Sequence, residues 1–470
     1  MGKRFAGKRK TDAMFAWLSV LMLAAAPVAA APIAQAPAEI VRPQEVRPLP
    51  GGLDTVPVFN SNSPELVLEP GILLSTFPPE GMAHPDAHLD YALSGRFDIF
   101  AHHVARAPEP DDLTSLYQGI MVHNPGQEPV TLTIIQGNSY LSQPDAPFFA
   151  IDEFIEYLPL APAFAGPGSR VSGDFLAGRS QDRFPPQVII PPGQSTLLMN
   201  EPIPVRTLEP PLNGRSTLIR LQSSGPVHVA NLARYAPITW YGIERAPTLA
   251  EWESLLQESP VAGPRDRAPT PPGSTDAFIY GRVAGVAIGS RWQATLTDEG
   301  SDHLVIPDPE AAFSYGISTL YQGRLGTGQN QSAAMAVRYD DTAYEAHGNY
   351  GIQYSLTLPL HNQTPAPQRV TVALETPIKE DVLSTAGLRF VNSPTAPVFF
   401  RGPVRVSTWD EAGRRRVRFI HLVQRRGDMG RPLVEVLIPP NQLQRVQVDL
   451  LYPADSTPPQ VLTVQTLPNP

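Results

Sequence analysis

Cysteine is absent from all 470 residues of the chain. No disulfide can brace the fold, no thiolate can attack a substrate or bind a metal, and no lipid can be attached through a lipoprotein cysteine. Lysine is scarce: beyond Lys3, Lys8 and Lys10 only Lys379 occurs, so arginine carries almost all the positive charge. Patterns with known catalytic mechanics are missing too. There is no G-x-S-x-G, S-x-x-K or H-E-x-x-H, and the glycine-bearing stretches GRVAGVAIG (281–289) and GTGQNQ (326–331) have neither phosphate-loop nor dinucleotide spacing. A Ser-His-Asp triad assembles from distant residues, so pattern alone does not exclude one, but nothing points to it. No cofactor is expected.

What is present begins with a leader. MGKRFAGKRK carries five basic residues, the apolar run MFAWLSVLMLAAA (14–26) follows, and small residues, PVAAAP, close it. This is the order of a secretory signal peptide, and the apolar run is short for a membrane span. Residues 1–31 are expected to be removed near Ala30 or Ala31, with the AQA ending at Ala36 as a later option. No pair of adjacent arginines suggests the folded-protein export route. Losing those five basic residues and Asp12 takes the formal charge from −9 to −13. An acidic, exported chain is a poor ligand for nucleic acid, and no transmembrane segment is expected in the mature part.

The 54 prolines are about twice the usual ~5 % share. They lie beside short runs of Val, Ile, Leu, Thr and Phe, a pattern that helices tolerate badly and turn-linked strands tolerate well. The fold class is therefore all-β. One helix signal stands out in APTLAEWESLLQES: Thr248 and Glu251 form a capping box, and Leu249, Trp252, Leu255 and Leu256 recur at helical spacing. PVAGPRDRAPTPPGST (260–275) then reads as a Pro/Gly-rich linker.

Four stretches recur in order on either side of that linker. VHNPGQEPVTLTII (122–135) echoes LHNQTPAPQRVTVAL (360–374), APFF (146–149) echoes APVFF (396–400), VIIPPGQ (188–194) echoes VLIPPNQ (436–442), and TLIRLQ (217–222) echoes VLTVQT (461–466). The reading is an internal duplication of a β-sandwich of immunoglobulin-like shape. The expected organisation is a signal peptide at 1–31, an N-terminal β region at 32–110 packed on the first half, a first sandwich with its terminal helix at 111–259, the linker at 260–275, and a second sandwich at 276–470.

Candidate sites are few. FDIFAHHVAR (97–106) holds two adjacent histidines, but in a strand neighbours point to opposite faces. His102 and His103 then cannot share one metal, and Asp98, His102 and Arg106 read as an ionic row on one face. A metal at His84, His88 and His102 is the weaker alternative, since Pro85 opposes the helix that would align the first two. RYDDTAYEAHGNYG (338–351) is the densest polar cluster. Asp340, Asp341, Glu345, His347 and Asn349 could bind a sugar or Ca²⁺, and paired carboxylates could hydrolyse a glycoside. The arginines of DEAGRRRVRFIHLVQRRGDMGR (410–431), with Arg414, Arg415 and Arg416 after a turn at Gly413, could grip phosphate or carboxylate groups, or guard an edge strand. Interrupting prolines spoil the long alternating strands of an outer-membrane barrel.

EIVRPQEVRPLPG, VPVFNSNSPELVL, FDIFAHHVAR, SYLSQPDAPF, PPLNGRSTLIRLQSSGPV, AGPRDRAPTPP, TAYEAHGNYG and HLVQRRG together resemble the cyanobacterial family called domain of unknown function 3370. The resemblance spans nearly the whole mature chain. It implies a cyanobacterial source and an exported protein, envelope-associated or released, and carries over no catalytic residue or ligand. The expectation is a non-enzymatic binder or organiser of envelope polysaccharide or of another envelope protein. The alternative is a carbohydrate-active hydrolase using Asp340, Asp341 or Glu345. The oligomeric state is left open.

Overall fold

The computed structural model describes residues 38–468 apart from 275–277 and 396. The leader expected at 1–31 lies outside the described residues. The fold is all-β: strands dominate, and the described residues hold two ten-residue α-helices and one 3-10 turn. Prolines sit where a strand has no ladder to complete. Pro202 lies on the edge strand Ser195–Ile203, and Pro226 lies in a register break. Pro359 falls in the gap between the two short strands that flank Gln353–His361, namely Arg291–Thr295 and Leu304–Val305.

The first sandwich is organised by one strand, Leu212–Tyr235. Up to Ser223 it pairs with Leu93–Arg106 and Val130–Leu141. Beyond the break at Ser223–Val227 it pairs with Leu116–His123 and Gly71–Ser75. A single strand thus serves both layers, with Gly225 and Pro226 in the bend. Between the layers Phe59, Phe97, Ile99, Leu132, Ile219 and Leu221 meet Leu74, Ile120, Val122, Val227 and Val229, all fully buried. The helix Leu249–Glu258 carries the expected capping box and packs Trp252, Leu255 and Leu256 on Ile72, Met121, Ala230 and Leu232. Gly119 lies beneath the indole: a Cβ there would come within 2.7 Å of Trp252.

The second sandwich sets a sheet containing Gln353–His361, Leu443–Leu451, Val398–Trp409 and Arg415–Arg425 against one containing Ala312–Ile317, Gln460–Thr466, Gln368–Glu375 and Pro432–Ile438. Leu356, Leu358, Val404, Val446 and Val448 fill the space between the layers with Val370, Val372, Leu462 and Val464.

The halves do not divide at 260–275 as expected. Glu39–Pro43 and Glu45–Arg47 leave the N-terminal region to pair with Gly387–Val391 and Ala312–Ile317. Phe154–Tyr157 pairs with Arg415–Arg425, while Val283–Ile288 pairs with Pro57–Val67 and carries Ala333–Arg338 into the first sandwich. Each unit has open edges, and strands from the other half cover them. The proposed linker is itself tied down, with Val261 and Gly263 bridged to Ile72 and Glu69. A second α-helix, Pro167–Leu176, was not anticipated; it starts at Pro-Gly, carries a second glycine, and reads as loop. Burial makes it helical: it wedges between Val130–Leu141 and Leu212–Tyr235 of one sandwich and Val398–Trp409 and Leu443–Leu451 of the other.

Two asparagines in the echoed stretches make matching bonds. The Asn124 Nδ2 amide donates to the carbonyls of Glu128 and Ile190 at 2.7 and 3.0 Å, and its Oδ1 accepts from Gly126 N at 2.9 Å. Asn362 donates to Ala366 and Ile438 at 2.8 and 2.9 Å and accepts from Thr364 N at 2.9 Å. Their backbone amides donate to Gln194 and Gln442, at 2.9 and 3.0 Å.

Candidate functional site

FDIFAHHVAR lies within the strand Leu93–Arg106. His103 is buried, with Nε2 2.9 Å from Ser61 Oγ, and desolvation pushes its pKa down to about 3. His102, on the other face, sits 2.6 Å from Ser216 Oγ on the adjacent strand, and desolvation lowers its pKa to about 4. The expected ionic row with Asp98 and Arg106 does not form. Asp98 is buried and pairs with Arg220 across the strand at 3.5 Å and with Arg96.

The metal reading of His84, His88 and His102 is corrected. Pro85 opens only a single 3-10 turn, Pro85–Ala87, too short to stack His84 over His88. The His88 ring is buried, with Nδ1 2.9 Å from Ser75 Oγ. Among the described residues no three of His, Asp or Glu gather as a metal centre would require.

The 338–351 cluster is split by the fold rather than gathered. Asp341 is gripped through both oxygens by Arg265, at 2.6 Å from Nε to Oδ2. Glu345 accepts from Asn330 Nδ2 at 2.7 Å. Asn349 is buried in a left-handed turn (φ 53°) and donates to the Gln331 carbonyl and to Tyr354 Oη, both at 2.9 Å. Its part is structural. His347 Nε2 donates to the Gly281 carbonyl at 3.0 Å, and burial pulls its pKa down to about 4. It is a neutral, fixed ring.

Two of these residues, Glu345 and His347, line a shallow depression open to solvent, with Phe278, Tyr280, Tyr321 and Tyr344. The aromatic rings hold one another in place. Phe278 stacks on Tyr321 at 5.0 Å, meets Tyr280 edge-on at 4.7 Å, and Tyr280 lies 4.8 Å from the His347 ring. Backbone anchors fix the phenols: Tyr321 Oη accepts from Gly273 N at 2.8 Å, and Tyr280 Oη donates to the Gln322 carbonyl at 3.1 Å. Lys379 donates to Tyr280 Oη at 3.1 Å, and burial lowers its pKa to about 8. Arg338 covers one side of the Tyr344 ring at 4.0 Å. Rigid aromatic walls beside one carboxylate and a neutral imidazole suit a ligand with apolar ring faces and hydroxyl edges.

Sequence reasoning named Glu345 and His347 but missed Phe278, Tyr280, Tyr321 and Lys379. Two aromatics at alternate positions just after a proline-rich stretch, and the lone lysine of the chain beyond the leader, were the signals available.

The arginine hairpin forms as expected, with Val398–Trp409 paired to Arg415–Arg425 around Gly413 (φ 74°). Two of its arginines are paired with carboxylates. Arg414 pairs with Asp410 at 2.9 Å, Arg415 donates to Ser407 Oγ at 2.9 Å, and Arg418 grips Glu156 through both oxygens. Arg416 is exposed on the neighbouring strand position. Arg414 and Arg418 are paired with carboxylates, while Arg415 and Arg416 stay exposed beside them.

A family model described as "Protein of unknown function (DUF3370)" matches residues 44–466. No curated protein matches the chain. Solved structures do match, among them the crystal structure of Lac15 from a marine microbial metagenome. There the identity is 8 %, the match covers 81 % of this chain and 54 % of that chain, and the TM-score is 0.11. The chain spans about half the length of that neighbour, and a likeness of that size carries no argument.

Proposed function

This chain belongs to the family described as "Protein of unknown function (DUF3370)", and from that premise we propose that it is an exported, non-catalytic protein that binds a polysaccharide of the cell envelope or extracellular matrix. The observation that carries the reading is the cleft walled by Phe278, Tyr280, Tyr321 and Tyr344 with Glu345 and His347 at its edge. Sugar rings present apolar C–H faces that pack on aromatic rings, and hydroxyls that the Glu345 carboxylate can meet. The basic leader with its apolar core supports export.

Binding rather than hydrolysis is supported by the fate of the carboxylates. Glycoside hydrolysis needs two of them flanking one bond. Of Asp340, Asp341 and Glu345, only Glu345 lines the cleft, and Asp341 is committed through both oxygens to Arg265. The matching bond sets of Asn124 and Asn362 support a duplicated unit as the origin of the two sandwiches.

The test is affinity electrophoresis and co-sedimentation of residues 32–470 with separated peptidoglycan and exopolysaccharide, while assaying for reducing ends. Saturable retention by one glycan, weakened at least about tenfold by Tyr344→Ala, with no reducing ends released, is the expected result. Retention by neither glycan sinks the proposal. Release of reducing ends that Glu345→Gln abolishes would replace it with the hydrolase.

A further inference from the structure

Far along the chain from the cleft residues, the segment after Leu212–Tyr235 makes a short hairpin whose tip is apolar and bare. Ile238 is 53 % exposed, Trp240 85 %, Tyr241 66 % and Ile243 63 %. Four large apolar side chains within six residues, each more than half in water, are more than the scattered exposure of a soluble surface. No charged residue occurs from 236 to 243.

The tip is held rather than floppy. Thr239 N donates to the Ile243 carbonyl at 2.8 Å, Gly242 N to the Thr239 carbonyl at 2.9 Å, and Arg245 N to the Pro237 carbonyl at 3.0 Å. Ile238 and Glu244 bridge across the hairpin, and the Trp240 and Tyr241 rings lie against each other tilted by 33°. Below the tip the chemistry changes abruptly. Glu244 takes bonds from Ser115 N and Arg206, both at 3.3 Å, and Arg245 holds both oxygens of Glu251, at 2.7 Å each, at the start of the helix. The layering is therefore aliphatic and aromatic outermost, then a belt of paired charges.

We infer that the 236–245 hairpin is a lipid-docking tip that inserts Ile238, Trp240, Tyr241 and Ile243 into the interfacial region of a bilayer. Indole and phenol rings, each with an apolar body and one polar group, settle at the level of the headgroups, and the isoleucines reach the acyl boundary. The tip carries no charged side chain to desolvate, and at headgroup depth its backbone groups keep water as a partner while the paired belt stays at the water boundary. Because the hairpin is prefolded, docking orders little. The formal charge of the chain without its leader is −13, so attraction to anionic lipid contributes nothing, and attachment rests on the apolar tip. The inference is independent of the glycan reading, since no residue of the cleft takes part.

Residues 32–470 sedimented with phosphatidylcholine vesicles, with and without phosphatidylglycerol, test this. Expected are binding to the zwitterionic vesicles that anionic lipid and salt do not strengthen, and a blue shift of tryptophan emission. Trp252 and Trp292 are already buried and Trp409 is half-buried under Arg445, so the shift is assigned to Trp240 by its loss in Trp240→Phe. Trp240→Ser with Ile243→Ser should lower partitioning at least about tenfold with unchanged thermal unfolding, and Trp240→Phe should abolish most of the shift while retaining most of the binding. No binding to either vesicle, or binding indifferent to these substitutions, overturns the inference. So does a dimer in sedimentation velocity that Trp240→Ser dissociates in the absence of vesicle binding, which would assign the tip to a second copy of the chain.

Discussion

Replacing Asn362 by alanine is the sharpest single probe of how the second sandwich is held. The side chain is fully buried and closes the turn between Gln353–His361 and Gln368–Glu375 onto Pro432–Ile438. Its amide serves the carbonyls of Ala366 and Ile438, and its Oδ1 serves Thr364 N and Thr364 Oγ1. Alanine removes all of these bonds, and of the groups that lose them the Ala366 carbonyl retains Thr364 Oγ1 as a donor at 2.9 Å. Each lost bond to a buried group costs about 0.5–1.5 kcal/mol, more where no water can enter. Ile438 is buried, whereas Thr364 is partly in solvent and can recover some of the loss. Together the loss is about 2–4 kcal/mol. Asn362→Asp should be no better, because a carboxylate cannot donate to two carbonyls. Asn124→Ala, which strands the Glu128 and Ile190 carbonyls and Gly126 N, should cost a similar amount. Urea unfolding of the variants measures both. Losses below about 1 kcal/mol at both positions would mean that the turns do not depend on these amides, and a large loss at only one would refute their equivalence.

Two further outcomes follow from close packing and from a buried amine. Gly119→Ala places a methyl within 2.7 Å of the Trp252 indole and should destabilise by about 1–3 kcal/mol, read by urea unfolding with the indole fluorescence of the displaced helix. Lys379 titrates at about 8 in the fold because burial disfavours its charge, against an ordinary value of 10.5. Between those values the unfolded chain binds the extra proton, so stability rises with pH across roughly 8 to 10.5, by at most about 3 kcal/mol. Lys379→Met should flatten that rise, and an unchanged stability–pH profile from pH 8 to 10 would show that the amine is not buried in the way described.

The legible parts of the molecule are those governed by local chemistry. Proline placement, alternation in stretches such as QEPVTLTII and the Thr248–Glu251 capping box report on backbone conformations that form over a few residues, and each appears in the structure as strand, strand and helix. The strand at 97–106 followed from the same alternation, which also separated His102 from His103. The helix Pro167–Leu176 was illegible because its propensity is poor and only burial between the two sandwiches sustains it.

Of the candidate site, the sequence identified Glu345 and His347 as polar residues in a suggestive cluster. It could not show that Asp341 faces Arg265, that Asn349 turns inward, or that Phe278, Tyr280 and Tyr321 form the wall beside them. By itself, then, the sequence determined a disulfide-free, proline-punctuated, all-β chain with one capped helix. Tertiary structure alone decided that Glu45–Arg47 and Phe154–Tyr157 complete sheets of the C-terminal half, and that Val283–Ile288 completes one of the N-terminal half. The physical reason is that alternation and turn chemistry are read within a strand, whereas an edge accepts any strand of the right length and pattern. Which strand covers which edge is settled by the packing of the whole chain.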